Sequence, residues 1–242
     1  MNPIPGYPNL ALYLDEALLV IDKPSGLPTL VDGFHPYVPY LVGLLGEAYG
    51  RIWVVHRLDK ETSGVIAFAR TAQAHRDLNT QFEQRRASKV YHALVIGQPE
   101  WDEKCVDLPL RPDGDRRHRT VIDQRMGKPA ITKLRVLEGY GAFALVEAIP
   151  LTGRTHQIRA HLAACGHSLI ADRLYRRSGD TRSGSIPGTE PIKRLGLHAR
   201  SLTLFHPING QLQSFTAPYP QDFASAIEQL RKSHKPELGN YC

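Results

Sequence analysis

His56-Arg57-Leu58-Asp59-Lys60-Glu61-Thr62-Ser63-Gly64 lies between two apolar runs, Trp53-Val54-Val55 before it and Val65-Ile66-Ala67-Phe68 after it. Both runs read as short buried strands. The stretch sets an acid, Asp59, beside a cation, Arg57, and closes on a Thr-Ser-Gly turn. Charges held between buried strands cost free energy unless they are paired. That expense marks a working site.

Outward from this stretch the pattern is of strands joined by hairpins, with a few helices between. Leu10–Leu14 and Leu18–Asp22 read as two strands around an Asp15-Glu16 turn. Leu41, Leu44, Leu45 and Ala48 recur at helical spacing, and Gly50 ends that helix. Gly64–Arg70 is a strand; Thr71 then caps a helix carrying His75, Leu78 and Phe82 on one face. Ser88–Gly97 is the next strand. Ala130–Glu138 and Ala142–Ile149 form a hairpin around Gly139-Tyr140-Gly141. Leu202–Phe205 and Gln211–Phe215 flank Asn209-Gly210, a strong short-turn signal. Pro220–Lys232 closes the chain as a helix. Thr155 is expected to cap a further helix running to Cys165, with Gly166 as its stop. Arg177–Pro191, rich in Gly, Ser, Pro and charge, reads as a mobile surface loop. This order argues for an α+β fold with a mixed, mostly antiparallel sheet.

Four more stretches carry chemistry-bearing residues: Lys23-Pro24-Ser25-Gly26; Lys89-x-Tyr91-x-Ala93-Leu94-Val95; Gly153-Arg154-Thr155-His156-Gln157-Ile158-Arg159-x-His161-Leu162; and Leu197-His198-Ala199. With His-Arg-Leu-Asp-x-x-Thr-Ser-Gly they resemble, in order, the motifs of the RluA-type pseudouridine synthases. One such motif is a weak signal; the ordered set, over roughly residues 10 to 220, is a strong one. The sequence departs from the pattern at Ala171-Asp172-Arg173-Leu174-Tyr175, where relatives have Gly before the Asp. The change is expected to be small, since Asp172 and Tyr175 stay in place.

The resemblance implies the pseudouridine synthase fold: α+β, with a mixed, mostly antiparallel bent central sheet, flanking helices and a cleft along the sheet. Many relatives carry an N-terminal S4 RNA-binding domain. Here Lys23-Pro24-Ser25-Gly26 arrives too early to leave room for one. The expectation is a single catalytic domain over 1–242, with no separate RNA-binding domain, that grips RNA itself.

The implied activity is an isomerase (intramolecular transferase) reaction, uridine to pseudouridine in RNA. The C1′–N1 bond breaks, the uracil turns and rejoins through C5, and a proton leaves C5. That chemistry needs a carboxylate near the sugar, a late base and a dry pocket. It needs neither metal nor nucleotide cofactor. The resemblance makes Asp59 the catalytic residue, either attacking C1′ or removing a C2′ proton. Both roles require an ionised carboxylate, which burial alone opposes, so a cation must sit nearby. The resemblance assigns Arg159 as that ion pair; on the residues alone Arg159 reads as a surface helix position. Tyr91 on its own reads as a strand tyrosine with a polar tip. In the family it stacks under the uracil and is the candidate base, with Ile158 as part of the apolar floor. Arg57 is implied to fill the space of the flipped base, which suits its planar guanidinium; the plainer reading is an ion pair with Asp59. His56 is expected to support the loop by hydrogen bonds beside the substrate. Lys23, Lys89 and Arg154 complete the substrate-binding set, the two lysines as phosphate contacts; the plainer reading of either is a solvated lysine.

Composition fits this reading. The 242 residues are 42% hydrophobic and 22% charged, ordinary for a globular chain. Lys and Arg total 30 against 24 Asp and Glu, for a net +6 and a pI near 9.3, which suits a polyanion. Arg111, Arg116, Arg117, Arg119, Arg125 and Lys128 crowd one segment, expected to close on RNA; Arg173, Arg176, Arg177 and Arg182 crowd another. Cys105, Cys165 and Cys242 are scattered, as suits reduced thiols. No signal peptide or spanning run is legible, so a cytoplasmic protein is expected, and a monomer for want of a second apolar face. His156, His161 and His167 lack metal-site spacing, and no phosphate-binding Gly-rich loop with Gly-Lys-Ser/Thr occurs. The expected partner is RNA, as ribosomal or transfer RNA stem-loops. Two other readings stand beside this one: a non-catalytic RNA-binding or RNA-folding protein, and a glycosylase that cuts the same bond without rejoining it.

Overall fold

The computed structural model describes residues 10–31, 33, 35–176 and 190–234. Gly6-Tyr7-Pro8, Cys242 and nearly all of the Arg177–Pro191 segment lie outside them.

The first turn forms as the sequence predicts. Asp15 Oδ1 accepts the backbone N–H groups of Ala17 and Leu18 at 2.8 and 2.7 Å, folding β1 (Ala11–Leu14) onto β2 (Leu18–Lys23). Then follow α1 (Leu41–Tyr49), β3 (Trp53–Val54), β4 (Ser63–Ala69) and α2 (Ala72–Glu83). Gly50 ends α1 with φ 75°. The Thr71 hydroxyl caps α2 by accepting the N–H of Ala74. Next come β5 (Ser88–Ile96), β6 (Glu103–Asp107), β7 (Leu110–Arg111), β8 (Val121–Ile122), β9 (Ile131–Gly139) and β10 (Phe143–Pro150). The chain continues through α3 (Gln157–Ala164), β11 (Leu197–Phe205), β12 (Leu212–Thr216) and α4 (Gln221–His234).

Among the described residues, ten strands form one sheet in the order β1-β2-β4-β11-β5-β10-β9-β6, with β3 beside β4 and β12 beside β11. Every pairing is antiparallel except β4 with β11. The sheet is therefore mixed and mostly antiparallel, as expected. β7 and β8 form a separate ribbon.

The two halves of the sheet bury their faces differently. Phe68, Leu78, Leu41 and Leu45 join β4, α2 and α1 in one core. Along β5 and β10, successive residues face opposite sides. Val95 and Val146 pack with Ile158 and Leu162 of α3, whereas Leu94 and Leu145 pack with Phe223, Ile227 and Leu230 of α4. Tyr91 touches both the first and the second core, so it stands where the halves meet.

The parallel junction explains the glycine that ends the opening motif. Gly64 has φ 110°, and a Cβ there would lie 2.2 Å from the Ala199 carbonyl oxygen. No larger residue allows β4 and β11 to approach this closely. Beside it, buried His198 sets Nδ1 3.0 Å from Ser63 Oγ. Burial pulls the His198 pKa down to about 4.

Several boundaries differ from the sequence reading. β11 starts at Leu197, not Leu202, and takes in Leu197-His198-Ala199. The Asn209-Gly210 hairpin is wider than a two-residue turn, since Phe205 pairs with Leu212. β6 gave no alternation to read, because only Val106 of its residues is buried.

Candidate active site

Thr62 N–H bonds Asp59 O at 3.1 Å, which turns the charged loop back into β4. The first motif holds this loop by its backbone. Gly26 N–H and Lys23 Nζ both donate to Lys60 O, at 2.9 and 3.0 Å, and Ser25 Oγ donates to Glu61 O at 2.6 Å. Thr29 Oγ1 donates to Leu58 O at 2.8 Å. Lys23 is fully buried, with Nζ also bonded to the carbonyls of Pro24 and Leu27, each at 2.8 Å. Burial pulls its pKa down to about 7, against the charges of Glu61 and Asp59. The expected phosphate contact at Lys23 is therefore wrong. A lysine with no exposed surface and three carbonyl partners braces the loop instead.

Opposite stands the loop before α3. Gln157 pins it with both ends of its amide. Oε1 accepts Thr152 Oγ1–H at 2.7 Å and Arg154 N–H at 3.0 Å, while Nε2 donates to Ile131 O and Thr132 Oγ1, both at 2.9 Å. Thr155 does not cap the helix. His156 intervenes in the left-handed region at φ 52°, ψ 23°, with no side-chain cap bond, and the helix begins at Gln157. The helix stop is as expected. Gly166, φ 87°, donates to Ala163 O, and His167 N–H to Leu162 O, the paired bonds of a Schellman ending.

Between the two loops lies a cleft of about 820 Å³. Asp59, Tyr91, Arg159, Arg57, Ile158, His56, Lys89 and Arg154 all line it. Of the site residues expected from sequence, only Lys23 does not.

Within the cleft the charges are arranged unevenly. Arg159 Nη1 lies 3.8 Å from Asp59 Oδ2. Its main partner is Asp172, met by Nε and Nη2 at 2.8 Å each. The expected pairing of Arg159 with Asp59 is present as one arm of a bridge: the guanidinium is fixed by Asp172 and reaches Asp59 with its remaining nitrogen. The Asp172 side chain is fully buried and also accepts the N–H groups of Leu174 and Tyr175. Burial opposes the charge on Arg159, but the Asp172 bonds and charge, with Asp59 behind them, raise its pKa. Tyr175 adds a cation–π contact, 5.0 Å from the guanidinium carbon to the ring.

A model of the RNA pseudouridylate synthase family matches residues 17–164. Dual-specificity RNA pseudouridine synthase RluA of Escherichia coli K12 is 39% identical over 209 residues, covering 86% of this chain and 91% of its own. Ribosomal large subunit pseudouridine synthase D of Nitrosomonas europaea is 38% identical over 225 residues, covering 91% of this chain. This chain spans only 64% of that relative's length. The solved structure of human RNA pseudouridylate synthase domain containing 4 superimposes with a TM-score of 0.73 at 27% identity, covering 91% of this chain and 92% of that one. The chain belongs to the RNA pseudouridylate synthase family.

For a family member, the remaining site residues sort by partner. Burial, and secondarily the Asp59 charge, raises the Tyr91 phenol above its ordinary pKa. His56 accepts the N–H of Ala67 at 3.0 Å through Nε2 and stacks on Phe82 at 4.6 Å. Burial lowers its pKa to about 3, so it props the loop as a neutral ring. Arg57 is exposed and reaches Thr155 Oγ1 at 3.4 Å. No ion pair joins it to Asp59 among the described residues. Lys89 has no hydrogen-bond or ion-pair partner among the described residues, and burial lowers its pKa. Its Nζ would lie 3.7 Å from a Cβ at Gly153, across the cleft. Arg154 Nε donates to Pro129 O at 3.1 Å.

The sequence reading missed three members of the site. Asp172 and Tyr175 appeared only as an intact remnant of the altered Gly-Asp element, and His156 only as a letter of the third motif and as one of three histidines without metal-site spacing. The family pattern was the signal that could have found them. The altered position itself matters more than expected: Ala171 adopts φ 58°, a conformation glycine takes without strain. In the basic segment, Arg111 pairs with Asp123 and Arg119 with Asp115, while Arg117 bonds Arg173 O. Arg116 and Arg125 are exposed. Among the described residues, no three His, Cys, Asp or Glu side chains gather as a metal site, and no helix is long and apolar enough to cross a membrane.

Proposed function

We propose that this protein isomerises uridine to pseudouridine within folded ribosomal or transfer RNA, with Asp59 as the catalytic carboxylate. The observation that carries this reading is the meeting of Asp59, Tyr91 and Arg159 around one cleft, on three separate family motifs. Asp59 acts at the ribose, and Arg159, fixed by Asp172, holds a positive charge against it. The Tyr91 ring lies under the uracil, with Ile158 beside it. A phenol whose pKa is raised holds its proton at neutral pH. Tyr91 therefore takes the C5 proton only as it passes its own to Asp59; N1, freed from the sugar, takes up a proton in exchange, so that the product is neutral and Asp59 returns to its carboxylate. Arg57, exposed at the rim, fills the place of the flipped base. Lys89 and Arg154 meet the RNA backbone, and the domain grips RNA with its own surface. The name of one relative, a ribosomal large subunit pseudouridine synthase, supports ribosomal RNA as a substrate class, and that of the other, a dual-specificity RNA pseudouridine synthase, supports more than one RNA target. The same reading makes it a cytoplasmic monomer.

The test is to incubate wild type and Asp59→Asn with unmodified ribosomal and transfer RNA transcripts, then separate the nucleosides chromatographically. Asn keeps the volume and removes the charge. Conversion by wild type and a loss of at least about a thousandfold in the variant are expected. Equal activity in the variant would sink the mechanism. Binding by both proteins with conversion by neither would favour a non-catalytic RNA-binding protein, and release of free uracil a glycosylase.

A further inference from the structure

His156 is a non-glycine residue at φ 52°, ψ 23°, an uncommon conformation that histidine, like Asn and Asp, takes more readily than most residues. One ring nitrogen is within hydrogen-bond reach of a partner, and the other faces a carboxylate across a longer gap. Nδ1 lies 3.1 Å from Tyr175 Oη, and Nε2 lies 3.7 Å from Asp59 Oδ2. The ring meets Tyr175 edge-on, at 5.7 Å and 86°.

The hydrogen-bond chain points to one tautomer. Tyr175 Oη accepts the backbone N–H of Thr120 at 2.9 Å, so its own proton is free to point at His156 Nδ1. A neutral imidazole has one donor and one acceptor nitrogen. With Nδ1 accepting, Nε2 carries the proton and faces the carboxylate. The other tautomer would turn a lone pair toward Asp59. Burial, with Arg159 and Arg57 nearby, favours the neutral ring, against the opposite pull of Asp59 and Asp172.

Two donors thus face the same carboxylate oxygen: Arg159 Nη1 at 3.8 Å and His156 Nε2 at 3.7 Å both point to Oδ2. Arg159 is committed to Asp172 and cannot fix the carboxylate alone. We infer that His156 is a positioning residue for Asp59, holding Oδ2 together with Arg159 so that Oδ1 is the oxygen offered to the ribose. What Oδ1 meets rests on the proposed reaction; the geometry does not.

The test has two arms, both on the full chain. In the first, two-bond ¹H–¹⁵N correlation of the labelled protein reads the tautomer without RNA. The proton on Nε2 is expected, and a proton on Nδ1 overturns the inference. In the second, single-turnover conversion and transcript affinity are measured for His156→Asn and His156→Gln. Asn accepts a left-handed backbone but is too short to face Asp59; the Gln amide reaches the place of Nε2. His156→Asn should convert about 30-fold more slowly, with affinity within about threefold of wild type, and His156→Gln should recover most of the loss. A His156→Asn rate near wild type overturns the inference. So does an equal loss in both variants accompanied by lost affinity, which marks a merely structural role. Were wild type itself inactive on every transcript, the proposed function would fall, and the tautomer would still decide the geometry.

Discussion

Lys23 and Lys89 open two motifs of the same family, and from sequence they carried the same expectation, a phosphate contact. The fold separates them. Lys23 has no exposed surface and spends its three donors on the carbonyls of Pro24, Leu27 and Lys60. Lys89 lines the cleft with no partner among the described residues. One cation is part of the scaffold under Asp59; the other is left unspent where a polyanion would lie. A charged residue declares its role by what satisfies it, and that is a property of tertiary structure.

The comparison breaks most readily at Lys23. Lys23→Met keeps the length and removes the ammonium, which leaves the carbonyls of Pro24 and Leu27 without their donor, at about 1 kcal/mol or more each, while Lys60 O keeps the N–H of Gly26. Chemical unfolding should show a loss of about 2 kcal/mol or more, and an unchanged midpoint would mean that the Lys23 ammonium braces nothing. At Lys89 the same substitution should act on RNA alone. Lys89→Met is expected to leave the unfolding midpoint in place, weaken RNA binding about tenfold at low salt, and reduce the slope of log affinity against log salt by about 0.7 to 0.9, one phosphate's worth. An unaltered slope would remove Lys89 from the RNA path. The smallest effect carries the contrast to the backbone. Ala171 looked interchangeable with glycine, yet its φ is 58°. Ala171→Gly relieves about 1 kcal/mol of strain and loosens the unfolded chain by about 0.4–1 kcal/mol. A small rise in melting temperature, or none, is expected; a clear fall would mean the methyl group packs productively.

Much of the fold was legible because local rules set it. The Asp15 turn, the Thr71 cap, Gly50 and Gly166 act within a few residues of themselves, so spacing announced them. β6 was hidden because an edge strand with a single buried residue has no alternation to display. The first half of β11 was hidden because His198 interrupts its apolar run, and His198 is satisfied there by Ser63, 135 residues away, and by the Ala217 carbonyl. Within the site, Asp59, Tyr91 and Ile158 were legible from motifs. The second acid on Arg159 was not, since nothing local links Arg159 to Asp172 as well as to Asp59. The Thr155 cap failed for a related reason: Gln157 had already claimed the turn through Thr152, Ile131 and Thr132, partners that only the folded sheet brings near.

The sequence by itself determined most of the strands and helices, the family and the carboxylate that lines the cleft, because hydrophobic period, caps and motif order are written along the chain. Tertiary structure alone decided which lysine is scaffold, which acid anchors Arg159, and that His156 faces Asp59. Those choices depend on distances between segments far apart in sequence, and a buried charge or ring nitrogen takes whichever partner the fold puts within reach.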